Sequence, residues 1–141
     1  MAERIFLSDK MEQRFTFKKN ERLCSRTTIQ DLFTKGKSFV KYPFRITYLP
    51  LISDDPENAK ILISVSKKRF KRAYKRNRVK RLIREAYRLN KHELVSLLKE
   101  MNSKYAIAFV YLPTEILSFE AVEKGMKKAL SKLKKELSVD E

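Results

Sequence analysis

Hydrophobic residues between positions 73 and 88 recur with the spacing of a single helix face. Val79, Leu82, Ile83, Ala86 and Tyr87 fall at i, i+3, i+4, i+7 and i+8, positions that share one side when each residue advances about 100°. Other stretches alternate with period two. Phe44-Arg45-Ile46-Thr47-Tyr48-Leu49 predicts a strand after Pro43 that runs up to Pro50. Lys60 to Ser66 predicts another, with Ile61, Ile63 and Val65 on one face. Tyr105 to Leu112 predicts a third, in which Tyr105, Ile107, Phe109 and Tyr111 oppose Ala106, Ala108 and Val110. The small residues on that second face predict a closely packed helix.

Three further helices follow from caps and stripes. Ser25 or Thr27 can cap a short helix containing Ile29, Leu32 and Phe33, with Gly36 as the residue just past its end. Glu93 to Glu100 forms a short helix through Leu94, Leu97 and Leu98. Ser118 caps a last helix to about Leu137, buried through Val122, Met126, Ala129, Leu130, Leu133 and Leu137. The order is an α/β sandwich without internal repeats. Residues 1–14 read as a loosely held extension and 15–138 as a single domain. The helix near residue 80 joins two strands, and for parallel neighbours the general rule favours a right-handed crossover.

The polar side of that helix changes the picture. Residues 66–88 hold twelve Lys or Arg against one acid, Glu85, a local charge of +11 out of the chain's +16. Asn77, Lys80, Arg81, Arg84 and Arg88 gather opposite the apolar stripe, flanked by Arg76 and Arg78. A solvated face ordinarily mixes signs, whereas Arg76–Lys80, Lys80–Arg84 and Arg84–Arg88 are like-charge i,i+4 pairs that repel. Such repulsion is relieved by a polyanion.

At 141 residues, 43% hydrophobic and 11% aromatic, the chain can bury a core. It has no apolar run long enough for a membrane span and no secretory-signal pattern at its start. One cysteine, Cys24, excludes an internal disulfide and fits a reducing compartment. One histidine, His92, excludes a two-histidine metal site, and two glycines exclude a glycine-rich phosphate loop. The carboxylates of Asp54, Asp55 and Glu57 fall in a turn and read as solvated. No self-sufficient catalytic constellation emerges.

Val65-Ser66-Lys67-Lys68, Ala73 and Arg76-Asn77-Arg78-Val79-Lys80-Arg81-Leu82-Ile83-Arg84-Glu85 together resemble the signature of the bacterial ribonuclease P protein subunit, with its R-N-R-x-K-R-x-x-R-E motif. Phe17-Lys18-Lys19-Asn20-Glu21-Arg22-Leu23 is similar to the family's F-P-x-x-x-R-L segment, with Lys18 in place of proline. Ile29, Leu32, Phe33 and Gly36 resemble its first helix, so the likeness runs over about residues 15 to 135.

The resemblance implies a two-layer sandwich of order αβββαβα. Its four-stranded mixed sheet would have a left-handed βαβ crossover carrying the basic helix, against the general rule. It implies a protein subunit that binds a catalytic RNA and the 5′ leader of precursor tRNA, promoting endonucleolytic removal of the leader. Hydrolysis would be organised by Mg²⁺ bound mainly by the RNA, with no catalytic protein side chain, no organic cofactor and no obligate protein partner. By motif position, Lys67, Lys68, Arg76, Asn77, Arg78, Lys80, Arg81, Arg84 and Arg88 would meet the catalytic RNA. Phe17, Phe33, Phe44, Arg45 and Tyr48 would line a leader cleft between the first helix and the sheet, although Phe33, Phe44 and Tyr48 also suit a core. The expected location is cytoplasmic. Rival readings are a structured-RNA module without a role in cleavage, a major-groove DNA reader and a membrane-surface helix. Few short base-reading side chains accompany the cations, which disfavours DNA, and Val79, Leu82 and Ile83 serve better as core than as lipid contacts.

Overall fold

The Lys37–Lys41 strand, β1, turns back through Tyr42 and Pro43 into β2, Phe44–Leu51, and pairs with it antiparallel, Phe39 opposite Ile46. This computed structural model describes residues 21–52 and 56–139. The expected extension at 1–14, Phe17, and the acidic pair Asp54 and Asp55 lie outside the described residues. Ahead of β1 lies α1, Arg26–Lys35. After β2 come β3 (Ala59–Val65), α2 (Ala73–Asn90), α3 (His92–Glu100), β4 (Lys104–Tyr111) and α4 (Phe119–Val139). The sheet order is β1-β2-β4-β3. Strand β4 runs antiparallel to β2 and parallel to β3, so α2 and α3 form the crossover between parallel neighbours.

Strand alternation sorts the side chains onto two faces. Phe44, Ile46 and Tyr48 of β2, Ile61 and Val65 of β3, and Tyr105, Ile107, Phe109 and Tyr111 of β4 form the main core with α2, α3 and α4. Ala106 and Ala108 point the other way, where Leu32 of α1 packs on them with Leu23. The expected close helix is therefore α1, seated where β4 carries only methyl groups.

The ends of the helices follow local chemistry. The Ser25 hydroxyl accepts from the Thr28 amide at 3.4 Å, and the Ser118 hydroxyl accepts from Ala121 at 3.2 Å. Gly36 ends α1 with φ −71°, in the extended region rather than the left-handed conformation expected of it. A Cβ there would stand 2.3 Å from the Leu32 carbonyl oxygen and 2.9 Å from that of Tyr48, so close approach, not positive φ, demands the glycine. The left-handed C-terminal residue occurs instead at Asn102, φ 51°. There the amides of Ser103 and Asn102 bond back to Leu98 and Lys99 at 2.9 and 3.1 Å, closing α3.

Candidate nucleic-acid interface

Helix α2 docks through Val79, Ile83, Ala86 and Tyr87, all buried, with Leu82 partly so. Docking that stripe turns Asn77, Arg78, Arg81 and Arg84 to solvent, while Lys80 sits half-buried at the border. Lys67, Lys68 and Arg69 are exposed on the turn between β3 and α2. That turn is held to the core by Phe70, whose ring lies 6.1 Å from that of Tyr111. The Ser66 hydroxyl accepts from the Lys68 amide at 3.1 Å.

Two expected contact residues are engaged within the protein. Arg76 folds its guanidinium back onto the carbonyls of Phe70 and Lys71, at 2.7 and 2.9 Å. It sits at the first turn of α2, where the orphan carbonyls of the preceding turn are within its reach, and so shapes the cationic turn. Arg88 donates through Nε to Glu85 at 3.1 Å, which holds the Glu85 carboxyl below its usual range and raises Arg88.

One cation was missed by the pattern. Arg22 forms a parallel bridge with Ile61 on the outer edge of β3 and lies near Arg84, whose guanidinium pKa is lowered first by partial burial and then by repulsion from Arg22. Arg22 stands in the Phe17-to-Leu23 segment, so its sequence signal was that motif rather than any helical period. The same segment sends Glu21 to Lys91, 2.6 Å apart, with the lysine only 4% exposed. This ion pair joins the residues preceding α1 to the α2–α3 junction.

The expected leader cleft divides between two faces. Phe44 (0% exposed) and Tyr48 (2%) lie in the core on the face away from α1. Phe44 packs edge-on to Phe109 at 5.8 Å, and the Tyr48 hydroxyl donates to Glu136 at 3.3 Å. Both are core residues, which corrects their assignment to the cleft. Arg45, their neighbour in a period-two strand, points to the α1 face and is exposed. There it belongs to one cross-strand row, Val40–Arg45–Val110–Ser64. In the adjoining row, Thr47 and Ala108 are buried. Phe33, on the flank of α1, is 49% exposed. The open part of this face is thus a shallow surface of apolar, cationic and hydroxyl groups. It lies at the end of β3 that leads into the Lys67–Lys68 turn.

Among the described residues no three His, Cys, Asp or Glu side chains gather into a group that could hold a metal ion, and no helix is long and apolar enough to cross a membrane.

A sheet backed by a helix with one continuous cationic and amide face defines a small α/β-sandwich protein built to meet a polyanion. Residues 17–134 match the family model for ribonuclease P. The ribonuclease P protein component of Porphyromonas gingivalis is 46% identical over 119 residues, covering 84% of this chain and 87% of its own. That of Chlorobium phaeobacteroides is 38% identical over 88 residues, 60% of each chain. The chain belongs to the ribonuclease P protein component family. Its fold is that of the solved ribonuclease P proteins of Thermotoga maritima (TM-score 0.62, 23% identity, 79% of this chain and 96% of that one) and Staphylococcus aureus (TM-score 0.62, 21% identity, 79% and 93%).

Proposed function

We propose that the protein binds the catalytic RNA of ribonuclease P through the exposed face of α2 and holds the 5′ leader of precursor tRNA on the open α1 face of the sheet, promoting removal of that leader. The observation carrying this reading is the face formed by Asn77, Arg78, Arg81 and Arg84, set on a helix whose opposite side is wholly committed to the core. Arginines can meet phosphate oxygens in bidentate fashion, and an amide both donates and accepts. Lys67 and Lys68 extend the contact along the turn, and Arg76 positions that turn.

On the other face, Arg45 would meet a leader phosphate while Phe33, Val40 and Val110 offer apolar surface to unpaired bases. Stacking on an aromatic contributes about 1–3 kcal/mol per base without demanding sequence. Mg²⁺ held by the RNA would supply the metal chemistry of phosphodiester hydrolysis. The residues of this chain bind and orient: one face grips the catalytic strand, and the other keeps the leader extended. In this reading the protein works in the cytoplasm, as the partner of an RNA and not as a catalyst by itself.

The deciding experiment is reconstitution. Purified protein, a bacterial ribonuclease P RNA and 5′-labelled precursor tRNA are combined at low Mg²⁺ and near-physiological salt. Cleavage at the mature 5′ end is expected only when both protein and RNA are present. RNA binding without any protein-dependent cleavage would reduce the protein to a structured-RNA module. For the leader surface, Phe33→Ala should weaken the reconstituted complex's affinity for precursor tRNA several-fold more than for mature tRNA. Equal weakening of both would remove Phe33 from the leader site.

A further inference from the structure

Helix α4 carries a second cationic surface that the R-N-R motif does not include. At about 100° per residue, Lys124, Lys128, Lys132 and Lys135 fall within roughly 80° of one another, on the outward flank of α4 opposite its buried stripe, with Lys132 nearest β1. On the other flank, Lys127 lies 3.9 Å from Glu123 and Lys134 pairs with Glu93 of α3, so signs alternate there. On the outward flank, none of the four lysines forms an ion pair among the described residues, and Lys124–Lys128 and Lys128–Lys132 are repelling i,i+4 pairs. Two acids border that flank, Glu120 and Glu136, and the latter accepts from the Tyr48 hydroxyl.

Tertiary contacts add an edge strand to this flank. The Lys132 ammonium sits 5.0 Å from the centre of the Phe39 ring, so the lysine row adjoins β1. Lys41 shares the strand face of Phe39. Gly125 sits directly against the β1–β2 turn: a Cβ there would come 2.2 Å from Pro43 Cδ and 2.9 Å from the Tyr42 carbonyl oxygen. The backbone of Tyr42, whose side chain is 64% exposed, therefore lies beside the start of the lysine row. Strands β1 and β3 are opposite edges of the sheet, about 14 Å apart at three strand spacings. The body of α4 separates this patch from α2.

We infer that Lys124, Lys128, Lys132 and Lys135, with Lys41 and Tyr42, form a second RNA-binding face that takes an unpaired segment. The lysines meet its phosphates as point charges and Tyr42 stacks on a base. The protein then bridges two RNA elements, one on α2 and one along α4 and the β1 edge. Lysines without acidic partners suit a phosphate backbone, and an exposed tyrosine among them suits a strand whose bases are unstacked. The inference rests on the RNA-binding function proposed above.

Its test is the salt dependence of affinity, measured with full-length protein for the catalytic RNA alone and, in the assembled complex, for precursor tRNA. The variants are Lys124→Ala/Lys128→Ala/Lys135→Ala, Tyr42→Ser, and Arg78→Ala/Arg81→Ala as the reference. The triple lysine variant is expected to keep its melting midpoint and to lower the log–log salt slope by about two with one of the two RNAs. The RNA affected identifies the occupant as catalytic strand or substrate. Tyr42→Ser should weaken that same RNA several-fold without changing the slope, and unchanged affinity would overturn the stacking role. Unchanged slopes with both RNAs, while Arg78→Ala/Arg81→Ala still loses affinity, would overturn the second face and leave the proposed function standing. No loss with either set of variants would overturn both.

Discussion

Replacing Arg78 and Arg81 together with alanine is expected to weaken binding of the catalytic RNA by roughly tenfold to a hundredfold at physiological salt and to flatten the log–log salt slope by about two. Both side chains are exposed on α2 and neither takes part in its docking stripe, so the melting midpoint should stay where it is. Nitrocellulose filter binding over a range of salt concentrations measures the first effect, and circular dichroism melting the second. About two fewer counterions released on binding is the signature of two lost phosphate contacts, which separates this outcome from a general loss of structure. Arg76→Ala is a different case: it removes the donor to the Phe70 and Lys71 carbonyls and would disturb the turn that carries Lys67 and Lys68. A double variant that unfolds, or that binds with an unchanged slope, would place the interface elsewhere.

Phe44→Ala should cost about 3–5 kcal/mol of folding stability. The ring is fully buried and packs edge-on to Phe109 and Tyr111, at 5.8 and 6.3 Å. Truncation would leave a cavity between β2 and β4 under α4, where the sheet cannot collapse without breaking its register. Urea denaturation gives the stability. Affinity for precursor tRNA, measured at a temperature where variant and wild type are equally folded, should be little changed. A selective loss of leader-dependent affinity with intact stability would return Phe44 to the binding surface.

These two variants separate what local pattern could convey from what it could not. The apolar stripe of α2 and the cations opposite it repeat with a helical period, so both docking side and exposed side were legible before any coordinates. The same holds for the period-two face of β4, whose alanines pointed to a close helix. The leader cleft was less legible. Phe44 and Arg45 are adjacent in a strand and must point to opposite faces, so they could not line one surface together. Choosing between them required knowing which face α1 covers, and α1 is a separate element whose position depends on β2–β4 pairing. Exposed Val40 and half-exposed Val110 joined the candidate surface only because strand register sets them in one row with Arg45.

Composition and periodicity alone determined that a single basic helix dominates this chain, that its partner is a polyanion and that its core is an α/β sandwich. The reason is that charge density and side-chain period are properties of a few consecutive residues. Only the tertiary structure decided that Arg22 stands near Arg84 and that Lys132 of α4 reaches the Phe39 ring at the β1 edge. Each of these depends on contacts between segments far apart in the chain, where the free energy of packing, and not local preference, sets which side chains become neighbours.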